Sequence, residues 1–339
     1  MLILLNRIFE SEIMKVAITG ASGHVGNNLA RTLLSQGVKV NALCHQDTRA
    51  LEGLELERVQ GSVLDPDSLQ ACFHNVEIVF HLASVISIDG GRLGQVQEIN
   101  QTGTRFVVET CLKKGVRRLV HFSSIHALEQ FPLDETLDET RPLVSETGTI
   151  YDQTKAQAER IVLEGGQHGL EVVVVSPTGI IGPHDYKPSL MGKGIIALYC
   201  GTLPALVPGG FDWVDVRDVI HGAIQACHQG ISGERYLLSG HWISMKQMAV
   251  MIEGISGNSP PKLMAPFWLA RLGLPVIHAY NRLNGTADLY TSESLSALEK
   301  ANKNISHQKA SMELDFHPRP LRETLEDTFQ WYKQAEMLV

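Results

Sequence analysis

The chain has 339 residues, 44% of them hydrophobic and 19% charged, with a formal net charge of −8. This is the balance of a globular protein able to bury a substantial core, as one large or two modest domains. The negative charge and the lack of a basic run exclude nucleic acid as the main partner, although helix N-termini and local cations can still hold a pyrophosphate.

In chain order, residues 1–13 hold a short apolar run, Leu2 to Leu5, broken by Asn6 and Arg7. It is too short for a secretory signal and no small-residue cleavage site follows, so it reads as a dispensable extension with Met14 as a candidate start. From there strand and helix alternate, which predicts a parallel sheet covered on both faces. Strands are expected at 15–19, 38–43, 56–60, 77–82, 117–122 and 171–175. Helices are expected at 24–36, after the Asp65-Pro66 turn, at 95–114 and from Tyr151 to about residue 168. Beyond Gly182-Pro183 glycine and proline recur between shorter apolar segments. The expected division is therefore an alternating domain over 14–182, dinucleotide-binding by the glycine turn at residues 20–26, and a smaller, mixed substrate-facing region over 183–339. Part of that region, about 214–240, returns to the sheet as a helix at 214–227 and a strand at 235–239. An amphipathic helix at 321–337 closes the chain by packing. The fold class is α/β, a Rossmann-type doubly wound parallel sheet.

Five cysteines, Cys44, Cys72, Cys111, Cys200 and Cys227, are scattered and odd in number, with no Cys-x-x-Cys pair. Neither a disulfide framework nor a metal site is expected, and the pattern suits a reducing, cytoplasmic compartment. The apolar stretch at 267–280 is interrupted by Arg271, Pro275 and His278, so no membrane span and no membrane partner are expected.

Strand one runs into Gly20-Ala-Ser22-Gly23-His24-Val25-Gly26 and then a helix. Glycines there allow a tight turn, close approach of a pyrophosphate to the backbone, and helix-on-sheet packing. Tyr151 and Lys155 stand four residues apart in a predicted helix, one turn apart on one face. A fixed ammonium near a phenol lowers its pKa, so the pair is expected to exchange a proton with a carbonyl or alcohol near neutral pH.

The Gly-x-x-Gly-x-x-Gly spacing together with Tyr-x-x-x-Lys resembles the short-chain dehydrogenase/reductase superfamily in its extended branch, also called the NAD-dependent epimerase/dehydratase superfamily. Dihydroflavonol-4-reductase-like and 3β-hydroxysteroid-dehydrogenase-like members are the nearest in pattern. Gly61-Ser-Val63-Leu64-Asp65 matches the adenine-contacting turn, and His81-Leu82-Ala83-Ser84 the loop after strand four. Asn100-Gln-Thr-Gly-Thr104 matches the asparagine-bearing helix, His121-Phe-Ser123-Ser124 the serine-bearing strand end, and Ser176-Pro177-Thr178-Gly179-Ile180-Ile-Gly-Pro183 the loop passing the nicotinamide. The likeness covers about residues 14–183, with a weaker match at Trp213-Val-Asp-Val-Arg-Asp218.

The resemblance implies that Tyr151 is the general acid or base, that Lys155 lowers its pKa and binds the nicotinamide ribose, and that Ser124 orients the substrate oxygen. Ser123 would line the cofactor. NAD-preferring relatives carry an acid at the end of strand two; here Cys44 stands there, followed by His45, with Arg49 close by. NADP(H) is thus favoured over NAD(H), with Asp47 as the nearest opposing carboxylate. His126 and His81 are assigned no chemistry, and Tyr186 with residues 191–198 edges either the substrate pocket or the core. The expected partner is a small carbonyl or alcohol, apolar given Trp213, Trp242 and Trp268, and helices 95–114 and 151–168 offer a possible homodimer face. Two alternatives stand. A nucleotide-sugar epimerase or dehydratase is opposed by Cys44, by Ser124-Ile-His-Ala-Leu and by the lack of an arginine cluster. A non-catalytic redox sensor is opposed by the retention of Tyr151 and Lys155.

Overall fold

The computed structural model describes residues 14–85, 93–145, 148–284 and 291–338; the expectation for residues 1–13 lies outside them. Seven strands form one sheet: β1 (Lys15–Thr19), β2 (Lys39–Cys44), β3 (Glu57–Gln60), β4 (Ile78–His81), β5 (Arg118–Phe122), β6 (Glu171–Pro177) and β9 (Arg235–Leu238). Their order is β3-β2-β1-β4-β5-β6-β9, and every pairing is parallel. The inner strands are near-continuous apolar runs because helices cover both faces. All five residues of β5, and all but the first of β6, are buried.

One face carries α1 (His24–Ser35), α7 (Val216–Gln229) and α11 (Gln308–Leu314), packed through Leu29, Leu33, Val219, Ala223 and Leu314. The other carries α2 (Pro66–Cys72), α4 (Thr104–Lys114) and α5 (Ile150–Gln167), packed through Leu69, Val107, Cys111, Ile161 and Val162. Chain order reverses at β1, which pairs with β2 on one side and β4 on the other, and this opens a crevice at the carboxyl ends of the strands.

A second sheet of three strands, in the order β10-β8-β7, is formed by β7 (Gly179–Ile181), β8 (Gly210–Asp215) and β10 (His241–Ser244). Around it lie α6 (Leu190–Tyr199), α8 (Met245–Ser256), α9 (Phe267–Asn284), α10 (Ser292–Glu299) and α12 (Leu321–Gln334). The terminal helix buries Leu321, Leu325, Phe329 and Tyr332, an i, i+4, i+8, i+11 stripe. Strand β8 replaces the first turn of the helix expected from residue 214, which begins at Val216.

The helix expected over 95–114 is divided. Leu93–Gln97 (α3) passes into a π turn, Glu98–Gly103, before α4. Thr104 Oγ1 donates to the Asn100 carbonyl at 2.7 Å, and Gly103 fits so closely on Val63 that a Cβ would meet its Cγ2 at 2.7 Å. Such bulges form where side chains engage the backbone ladder. No helix among the described residues is long and apolar enough to cross a membrane.

Candidate functional site

The crevice begins at the glycine turn. Gly20 has φ +73°, and a Cβ there would meet the Ala83 nitrogen at 2.7 Å; one on Gly26 would meet the Gly20 carbonyl at 2.2 Å. Gly23 precedes α1 without any side-chain cap, and the first turn holds no acid. The leading N–H groups of a helix have no intrahelical acceptor, so the turn at Ser22 to Gly26 presents an anion-ready cradle. Asn27 and Asn28, which the sequence reading missed, tie α1 to the loop after β7: their side-chain amides donate to the His184 and Pro183 carbonyls at 3.0 Å each. His24 Nε2 meets Pro183 O at 3.1 Å. Two buried asparagines on the inner face of an amphipathic helix were the available signal.

At the end of β2, Cys44 is buried and its thiol is pushed up by desolvation. His45 is exposed. Asp47 is held at about 2 by hydrogen bonds from Arg49, which grips it at 2.7 and 3.0 Å. Arg49 also borders a cavity of about 440 Å3 with Tyr186, Trp331, Gln334, Ala335 and Met337. Tyr186 therefore lines a space beside α1, where its hydroxyl accepts from Arg31 at 3.2 Å. Of residues 191–198, Ile195 and Leu198 are core, while the Met191 methyl lies where a Cβ on Gly179 would meet it at 2.9 Å. In the turn expected to face the adenine, Val63 is buried, Leu64 packs beside it, and the Asp65 carboxylate caps α2 by accepting from Asp67 N.

Asn100 clamps the next wall. Its Oδ1 accepts from Ser84 Oγ at 3.1 Å and from Val85 N at 2.8 Å, and its Nδ2 donates to Val85 O and to Thr154 Oγ1 on α5. Leu82 N and Ala83 N are bound by Thr19 through its carbonyl and its hydroxyl. Across the crevice, Pro177 ends β6, the Thr178 hydroxyl donates to buried Asp212 at 2.6 Å, and Gly179 and Ile180 open β7. Asp212, raised by burial and also accepting from Gly240 N, was another residue missed from the sequence.

The two serines are separated by their partners. Ser123 donates to Glu159 at 2.8 Å, and Glu159 is also paired with Arg235, so the Ser123 hydroxyl is committed inside the fold. Ser124 caps the short turn Ile125–Ala127 through His126 N, and its hydroxyl lies close enough to the Tyr151 phenol to act on its ionisation. A capping box of Thr149 and Asp152 starts α5 and fixes the turn that carries Tyr151. Lys155 is buried and its Nζ donates to the Phe122 carbonyl at 2.8 Å.

The electrostatics differ from the expected lowering. Part of Tyr151 remains accessible, yet its hydroxyl end is desolvated and its pKa is pushed up to about 12. The Ser124 hydrogen bond opposes that rise and the Asp152 charge adds to it. Burial lowers the Lys155 ammonium to about 8, with Glu159 pulling the other way. His126 stands closer than expected, its ring edge-on to Tyr151 at 6.2 Å and its Nδ1 3.5 Å from Asp152. Beneath them His81 bonds Thr19 and Thr104 at 2.7 and 2.9 Å and is held near 3 by burial. Its neighbour His121, 5.3 Å away, has both ring nitrogens buried without hydrogen-bond partners among the described residues.

Residues 16–239 match the NAD dependent epimerase/dehydratase family. The chain belongs to that family. It is 33% identical over 331 residues to sterol demethylase protein B of Methylococcus capsulatus, covering 96% of this chain and all of the other. A 3 beta-hydroxysteroid dehydrogenase/Delta 5-->4-isomerase of Mycobacterium tuberculosis is 29% identical over 75% of this chain and 72% of its own. Among solved structures, gox2253 superposes with a TM-score of 0.83 at 30% identity, covering 97% of this chain and all of that one.

For a member of this NAD-dependent family the cradle fits the cofactor. The uncapped helix start, the close glycines and the crevice between β1 and β4 supply what a dinucleotide requires. The tryptophans do not gather around one pocket in this family member. Trp213 is in the core of the second sheet, whereas Trp268 lies on the outer surface.

Proposed function

We propose that this chain transfers a hydride between a nicotinamide and an apolar secondary alcohol or ketone, with Tyr151 moving the proton. The observation that carries the reading is a desolvated Tyr151 phenol beside Ser124, one helical turn from buried Lys155. A bound nicotinamide supplies the hydride. Gly20, Ser22, Gly23, His24, Val25 and Gly26 hold the pyrophosphate, and Val63, Leu64 and Asp65 border the adenine. Leu82, Ala83, Ser84 and Asn100 form one wall of the crevice, and Pro177, Thr178, Gly179 and Ile180 the other. Ser124 presents the substrate oxygen to Tyr151, and Lys155 binds the ribose hydroxyls, releasing the contact it keeps with Phe122 O. The phenol is protonated at neutral pH, the state that donates to a carbonyl oxygen in reduction. The relatives named as sterol demethylase and 3 beta-hydroxysteroid dehydrogenase support a ring-bearing, apolar substrate.

Tyr151→Phe is expected to lower kcat by about a hundredfold or more while leaving cofactor affinity intact. Ser124→Ala is expected to lower turnover as well. Unchanged turnover of a panel of ketones and alcohols in either variant sinks the proposed role of that residue. Tight cofactor binding without turnover of any substrate by the wild type favours the sensor alternative.

NADP(H) is proposed as the preferred cofactor, because Cys44 leaves no acid at the β2 end and Arg49 can exchange Asp47 for a 2′-phosphate. Fluorescence titration checks this: Arg49→Ser is expected to weaken NADPH about tenfold and to leave NADH unchanged. Equal affinities of the wild type for both nucleotides refute the preference.

A further inference from the structure

The first turns of α9 carry an outer face that is apolar and, among the described residues, uncovered. Phe267, Ala270 and Leu274, at i, i+3 and i+7, pack inward with Val207, Leu295 and Leu298. Trp268 and Leu272, at i and i+4 on the opposite side, are 64% and 70% exposed. Leu269 joins them, and Leu263 and Met264, just before the helix, extend the patch. Five large apolar side chains together on one surface need a partner, unlike scattered single ones. The charge around them identifies its kind. From Gly254 to Ala287 the sequence holds no aspartate or glutamate but contains Lys262, Arg271 and Arg282, within a chain of net charge −8. Lys262 is exposed at the patch edge, and Arg271 pairs with Glu299 at the base of the helix. An apolar face bearing a tryptophan, in a locally cationic segment, is the composition of a helix lying in a lipid interface. No described helix can span a bilayer, so attachment is to the surface.

We infer that the α9 face, with Leu263 and Met264, docks this chain on the surface of an anionic lipid bilayer. The expectation of no membrane partner rested on the absence of a spanning segment; surface docking is a different attachment. The occupant is lipid rather than a second copy, because two copies would set the same cationic segments against each other across a self-complementary contact. Docking does not rest on the proposed reaction, since it is read without turnover.

The full chain is sedimented with vesicles of phosphatidylcholine alone and of phosphatidylcholine mixed with phosphatidylglycerol. The wild type is expected to partition at least about tenfold more strongly into the mixed vesicles, and less so at high salt. The double variant Trp268→Gln/Leu272→Gln is expected to lose about tenfold or more of that binding with its thermal midpoint unchanged, because both side chains are already in water. Leu263→Gln and Lys262→Glu, outside the helix, are expected to weaken binding without touching α9. Failure to sediment with either vesicle overturns the inference, as does binding indifferent to all these substitutions. So does a concentration-dependent dimer that the double variant abolishes in the absence of vesicle binding.

Discussion

Lys155 is a charged group held out of water, with 4% of its surface accessible and its ammonium on the Phe122 carbonyl. Its pKa falls from 10.5 in the unfolded chain to about 8 in the fold. Between those values the unfolded chain binds a proton that the folded chain does not, so stability rises with pH across the window. Below pH 8 both states are protonated and the full cost of burial is present. Lys155→Met is therefore expected to stabilise the fold by up to about 3 kcal/mol at pH 7. That advantage should shrink as pH climbs from 8 toward 10.5. Urea unfolding at pH 7 and pH 9.5 checks both the sign and the trend, and a variant less stable than wild type at pH 7 contradicts the account. The Tyr151–Lys155 spacing was readable from sequence because it is a local, four-residue relation. The charge state was not, because it depends on desolvation by distant segments and on a carbonyl 33 residues away in sequence.

At the scale of elements, what sequence revealed depended on how much of the signal is local. Strand β6 is a Val-Val-Val-Val run buried on both faces, and such runs announce themselves. Helix α5 begins with a capping box and ends near residue 168, as expected from its pattern. Strands β7 and β10 were missed. They span three and four residues, and most of their positions are half-buried, so neither alternation nor a continuous apolar run marks them. The π turn at Glu98–Gly103 was also missed, because its causes are tertiary: Asn100 is held by residues 84, 85 and 154, and Gly103 by Val63. That irregular turn delivers Asn100 to the wall of the crevice, so the departure from a regular helix falls at the candidate site.

At the scale of the whole molecule, one ionic cluster joins the parts. Arg319, just before the terminal helix, grips Asp218 on α7 with two guanidinium bonds of 2.8 and 3.0 Å, while its backbone N–H donates to the other carboxylate oxygen. It also lies 3.6 Å from Asp215 at the end of β8, and Arg217 binds both Asp215 and Asp327 on α12. The cluster thus fastens the terminal helix to the second sheet and to a helix of the seven-stranded sheet. Trp213 to Asp218 stood out in the sequence as a motif, but Arg319, 101 residues beyond Asp218, carries no local mark of its role. The carboxylates are the buried members, Asp215 at 0% and Asp218 at 8% side-chain exposure. Burial alone would raise the Asp215 pKa, and the hydrogen bonds from Arg217 with the charge of Arg319 reverse that. Arg319→Met is expected to cost about 3 kcal/mol, because it strands buried negative charge rather than merely removing a contact. Adding Asp218→Asn should recover part of the loss, and a double-mutant cycle in urea measures the coupling. A folded carboxylate pKa held down contributes stability above the ordinary carboxylate range and loses it as pH falls through its folded value. The deficit of Arg319→Met should therefore narrow below about pH 4, where carboxylates take up protons. A deficit independent of pH, or one unrelieved by Asp218→Asn, means that Arg319 stabilises the fold by packing and not by neutralising buried acids.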